Sequence, residues 1–248
     1  MTTDHKGKRH GRNWLRWIAG FAGALVLAAL ISVPFVAPAV AAYTCPSCYG
    51  FEKLADQLYA ERGMSERDRA ALQGLVRRAK EQVTGFYGPL QSGPAILVCR
   101  TDACDHRTGG RGALGETYLG AFIRMSPRGF NQTFLAHELS HAELHARFGA
   151  VTFLLGRLPA WVDEGIAVIV SDDDRYLKPD GSGTAKCRAE PVDDMRPGPF
   201  EWGRSAGKTP GLYAQAACRV LRWMDANGGK TALLAAIAEV AAERRSLP

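Results

Sequence analysis

Apolar and polar positions along this 248-residue chain recur with periods that sketch most of its elements. From Trp17 through Phe51 no side chain is charged, and the apolar character is densest from Trp17 to Val33, running on to about Ala42 despite Pro34 and Pro38. A helix needs ~20 such residues to cross a bilayer. From Phe51 to Phe86 the pattern is helical, with a break expected at Gly63. There Ser65-Glu-Arg-Asp68 has the form of a capping box, opening a helix whose apolar stripe is Leu72, Leu75, Val76, Ala79 and Val83. Pro94 to Cys99 reads as a short buried strand, Thr101 to Gly115 as a Gly-rich loop, and Tyr118 to Ser126 as a second strand. That strand leads through Pro127-Arg128-Gly129 to a helix around Phe134–Leu144 and is expected to form an edge beside it. Further helices are predicted over Trp161–Ser171, Leu212–Ala226 and Lys230–Arg244, the last two separated by Asn227-Gly-Gly229. The Pro- and Gly-rich stretch from Asp172 to about Gly211 is long enough for a cleft wall or lid. The pattern predicts an α+β fold: a small sheet, the central helix, and helices after it.

The central helix carries the chemistry, His137-Glu138-Leu-Ser-His141. A helix turns once per 3.6 residues, so His137 and His141 project from one face with their imidazoles aimed at a common point that can hold zinc. Glu138 lies about 100° further round, placed to reach a metal-bound water as general base without becoming a ligand. A catalytic zinc needs a third protein ligand and an open fourth position. Leu158-Pro-Ala-Trp161-Val-Asp163-Glu164-Gly165-Ile-Ala167 supplies an acidic candidate at the start of the next helix.

Together these two segments resemble the gluzincin zinc metallopeptidases, in which a helical HExxH is followed by a Glu ligand in a W-x-x-E-G-x-A context. The resemblance spans roughly residues 115–240 and is strongest over Leu135–Ser171. It implies a compact zincin-like domain with one zinc ion held by His137, His141 and Glu164, Glu138 as base, and a peptide or protein substrate. It also places Tyr213 where an oxyanion donor would stand; an aromatic anchor of its own helix is the other reading. His145 lies only four residues after His141, too close for a metzincin ligand, and reads as packing or as support behind the ligands. The thermolysin-like branch places an orienting Asp four residues after the ligand Glu, and here that position is Val168. Asp163, Asp172, Asp173 and Asp174 could orient the histidines, but solvated loop carboxylates are the favoured reading.

Charge and cysteines narrow the setting. Of the net +6, four units fall in residues 1–17, where Lys6, Lys8, Arg9, Arg12 and Arg16 oppose Asp4. The remaining bases are scattered among acids, so nucleic acid is not an expected partner. Gly109-Gly110-Arg111-Gly112 lacks the Lys-Ser/Thr of a phosphate loop. Basic residues ahead of the apolar run place the N-terminus in the cytoplasm and the rest outside. Three segments are expected: residues 1–16 cytoplasmic, 17–42 a membrane anchor or signal peptide, and 43–248 the extracytoplasmic domain. Run length favours an uncleaved anchor, while the small-x-small sequence Ala39-Val-Ala41 keeps cleavage near Ala41 as the competing reading. Cys45, Cys48, Cys99, Cys104, Cys187 and Cys218 all follow the run, and an even count outside the cytoplasm favours disulfides. Two other functions remain open: a non-catalytic, zinc-stabilised envelope binding domain, and thiol–disulfide exchange by Cys45 and Cys48.

Overall fold

The structure, a computed structural model, describes residues 14, 17–23, 32–149, 152–153, 155–192, 198 and 201–242. The fold is mixed α+β. A five-stranded sheet has the order β1-β2-β3-β5-β4, from β1 (Phe51–Ala55), β2 (Leu58–Glu61), β3 (Ala95–Val98), β4 (Gly115–Tyr118) and β5 (Phe122–Met125). β2, β3 and β5 run parallel, and antiparallel β1 and β4 close the two edges. Every residue of β3 and β5 is buried, as parallel strands covered on both faces require.

One face carries the main core. α2 (Glu66–Tyr87) and α4 (Gln132–Phe148) pack together there, and Ile96, Val98, Ile123 and Met125 point into the core they share. Ser65 accepts a hydrogen bond from the Asp68 amide at 3.2 Å and starts α2; Leu72, Val76, Ala79 and Val83 are buried, and Leu75 is partly so. α5 (Ala160–Ser171) lies between α4 and α7 (Leu212–Asn227), with α8 (Gly229–Ala241) against α7 and α4. α5 and α7 approach so closely that a Cβ on Gly165 would sit 2.6 Å from the Ala216 carbonyl oxygen.

The opposite face is covered by a second, smaller core. α1 (Pro38–Thr44) buries Ala39 and Ala42 against Phe51, Ala95, Leu97 and Phe122, alongside Cys99 and alongside Cys104 of the neighbouring α3 (Asp102–Arg107). Tyr43 stacks on Phe122 at 4.6 Å, and Phe122 on Tyr118 at 4.3 Å. The folded unit therefore includes Pro38–Ala42, which the sequence assigns to the apolar segment. Among the described residues no helix is long and apolar enough to cross a membrane; residues 24–31, the centre of the uncharged run, lie outside them.

Three local expectations are corrected. Residues 51–61 form the β1–β2 hairpin instead of helix: the run is short enough for either period, and pairing of Leu58–Ala60 with β3 decides it. Thr101 caps α3 by accepting from the Cys104 amide at 3.1 Å, so the expected loop begins with a helix. Leu119-Gly120 then splits the expected 118–126 strand into a hairpin, which leaves β4 at the edge and β5 inside. Among its described residues, the stretch after α5 contains a β-bridge, Leu177 to Cys187, a short turn over Gly183–Lys186 and the short α6 (Trp202–Ala206).

Candidate metal centre

Asn131 caps α4 by accepting from the Phe134 amide at 2.9 Å, which sets the helix phase and aims His137 and His141 at the same side. Their Nε2 atoms lie 3.1 Å apart, with the rings nearly perpendicular at 79°. α5 delivers Glu164, whose Oε2 lies 3.4 Å from His137 Nε2 and 3.5 Å from His141 Nε2. A triangle with those sides has its centre ~1.9 Å from each corner, close to a metal–ligand bond length. Glu164 Oε2 is buried and, among the described residues, has no hydrogen-bond donor. These three groups can hold a metal ion.

Asp163, one residue earlier on α5, faces the other side of the histidine row. Its Oδ1 lies 2.7 Å from His141 Nδ1 and its Oδ2 3.1 Å from His145 Nε2. With Nδ1–H donating to Asp163, the His141 Nε2 lone pair is left for a metal. Burial opposes charge on all these groups, but Asp163 and then Glu164 hold the His141 pKa well above the usual imidazole value. His141 and His145 in turn hold Asp163 far below the carboxylate range, and Glu164 is lowered chiefly by His141. Two buried carboxylates thus require cationic charge nearby, supplied by a proton on His141 or by a cation at the three-atom point. Asp163 is not a solvated loop carboxylate, contrary to the sequence reading. Asp173 is also buried, paired with Arg175, while Asp172 and Asp174 are exposed.

Glu138 is held from the sheet edge. The Thr117 hydroxyl donates to Glu138 Oε2 at 2.7 Å and to its backbone carbonyl at 2.9 Å. β4 passes so near that a Cβ on Gly115 would lie 2.6 Å from Glu138 Cγ. Tyr213, on α7, has its ring 6.3 Å from that of His137 and stacks on Tyr176 at 5.0 Å. Burial first, then Glu164, Tyr176 and Glu138, push its phenol pKa well above the ordinary value, so it stays protonated. All these groups line one open cleft of about 1640 Å³. That exceeds the ~300–1,000 Å³ of small-molecule pockets.

The six cysteines pair as Cys45–Cys48, Cys99–Cys104 and Cys187–Cys218. The third pins the segment after α5 to α7; none is a candidate ligand. Compared with family models, curated proteins and solved structures, the chain matches none. Sequence reasoning missed Thr117, which sits in a segment with no local signal. Asp163 carried one signal: it immediately precedes Glu164, so the two carboxylates necessarily leave α5 about 100° apart and can serve opposite sides of the histidine row.

Proposed function

We propose that the chain is a zinc-dependent peptidase of the gluzincin type, acting on extended polypeptide outside the cytoplasm. The observation that carries this reading is the equidistant placement of His137 Nε2, His141 Nε2 and Glu164 Oε2 in a cleft that also holds the Glu138 carboxylate. Two imidazoles and one carboxylate suit zinc and leave it a coordination position for the reaction. When bound, zinc supplies Lewis acidity towards a scissile carbonyl and acidifies water. The remaining work belongs to the chain. β4 offers backbone groups along which an extended substrate can align as an added strand. Glu138, oriented by Thr117, takes a proton from the attacking water and passes it to the leaving amine. Tyr213, protonated at neutral pH, is the hydrogen-bond donor for the developing oxyanion. Asp163 keeps His141 in the tautomer that presents Nε2.

The test measures zinc content and cleavage of a quenched peptide library by wild type, Glu138→Gln and Cys48→Ser. The expected result is one zinc per chain in all three. Cleavage should fall by ~10²–10⁴-fold in Glu138→Gln alone, the usual contribution of a general base. Zinc-loaded wild type that cleaves nothing would leave a metal-stabilised binding domain as the better reading. Loss of activity confined to Cys48→Ser would instead favour thiol chemistry.

A further inference from the structure

α1 is both a docked element and a wall of the cleft. Ala39, Ala41 and Ala42 are buried, and Pro38 fills a seat left open by Gly109, where φ is +85° and a Cβ would lie 2.9 Å from Pro38 Cγ. Tyr43 and Val40, on the same helix, line the cleft that holds His137, Glu138, His141 and Glu164. Beside them the β4–β5 turn contributes Leu119, exposed and held at φ +49°, so this rim is apolar. Immediately before α1 stand two of the most exposed apolar side chains described, Phe35 at 83% and Val36 at 74%. Only Ala37 separates Val36 from α1, so no spacer intervenes between apolar segment and cleft wall. The four residue steps from Val36 to Val40 span at most ~14 Å even when fully extended. Cutting after Ala41 would remove Ala39, which the second core uses, and Pro38, which is seated on Gly109.

We propose that the α1 rim of the cleft lies against a lipid bilayer entered by the uncharged segment before α1, and that the site takes polypeptide lying at that membrane surface. A bilayer is the occupant that fits. The segment has no charge from Trp17 to Phe51, follows a basic stretch, and exposes Phe35 and Val36 where it meets the domain. A docked α1 fixes the cleft at that surface, whereas a Gly/Ser tether would let the domain range away from it. The substrate half rests on the peptidase reading above; the apposition half does not.

The test uses the full chain reconstituted in phosphatidylcholine–phosphatidylglycerol vesicles. A fluorescent amino acid is placed at Leu119, on the α1 rim, or at Arg77, exposed on α2 across the sheet from α1. Headgroup-nitroxide lipids should remove most of the emission at 119 and leave 77 unchanged; equal emission loss at both, or none at 119, overturns the apposition. A second measurement couples the quenched peptide library to a phospholipid headgroup through about 4 or about 60 Gly/Ser residues, spanning ~11 or ~43 Å. The short-spacer substrates should be cut at least as fast as the long-spacer ones. Cleavage that needs the long spacer overturns the substrate half. No cleavage with either removes the peptidase reading, and with it the substrate half, while quenching still decides the apposition.

Discussion

Glu143, on α4, and Glu164, facing α4 from α5, both carry buried carboxylate oxygens, yet their surroundings differ in kind. Glu143 is fully buried and saturated: it accepts from the Gln91 amide at 3.0 Å, the Ser92 amide at 2.9 Å and Arg147 Nε at 2.6 Å. Arg147 then continues to the carbonyls of Tyr87 and Pro89. That cluster ties the loop after α2 to α4 and needs nothing further. Glu164 instead turns Oε2 towards two imidazole nitrogens with no donor on it among the described residues. Buried polar groups are ordinarily paired because leaving one unpaired costs about 1–3 kcal/mol. A buried acceptor left open beside two imidazole nitrogens can therefore hold a cation, whereas a saturated set belongs to the fold.

The comparison breaks most visibly through Glu164→Ala. Zinc affinity should fall by more than the ~100-fold that loss of a partner behind a ligand costs, while the chain without metal melts no lower than wild type without metal. Chelator competition and thermal melts read the two quantities separately. A metal-free melting temperature well below wild type would make Glu164 a structural carboxylate like Glu143. The mirror experiment is Glu143→Ala. It leaves the Gln91 and Ser92 amides without their acceptor and the half-buried Arg147 without its carboxylate, and should cost about 3–5 kcal/mol in urea unfolding, with one zinc per folded chain retained.

Much of this contrast is written in the sequence, and unevenly. His137, His141 and Glu138 are legible because helical spacing dictates where side chains leave a single helix; Glu164, on another helix, is legible only through the W-x-x-E-G-x-A resemblance. The stripe of α2 and the closing helices follow from the same periodicity. The β1–β2 hairpin is not legible, since Phe51–Glu61 alternates too briefly to exclude a helix, and only its pairing with β3 settles it. Asp163 is only partly legible, for another reason. Its neighbour Glu164 signals the two directions in which the carboxylates leave α5, but its role depends on how α5 docks on α4, which no local spacing sets. Thr117 likewise acts only once β4 is folded back beside α4.

Asp163 stands between the two extremes, saturated like Glu143 but bonded to a candidate ligand. Asp163→Asn keeps an acceptor for His141 Nδ1–H but turns an amide N–H₂ towards His145 Nε2, and removes the negative charge. Zinc affinity should fall by ~10–100-fold with stoichiometry unchanged, again by chelator competition; an unchanged affinity would place Asp163 with the fold and not with the metal.

The smallest effect is expected one step further out, at His145. Its Nε2 is 3.1 Å from Asp163 Oδ2, and its ring packs on Phe153 at 3.9 Å between centroids. His145→Ala removes one donor from Asp163 but leaves the 2.7 Å bond to His141 intact. The unfilled acceptor costs about 1–3 kcal/mol of stability, while zinc affinity should fall less than in Asp163→Asn because His141 keeps its orientation. His145→Gln, which restores a donor, should recover part of the stability. Should His145→Ala weaken zinc as much as Asp163→Asn does, the carboxylate is held by both imidazoles jointly, and His145 belongs to the metal centre as much as Asp163 does.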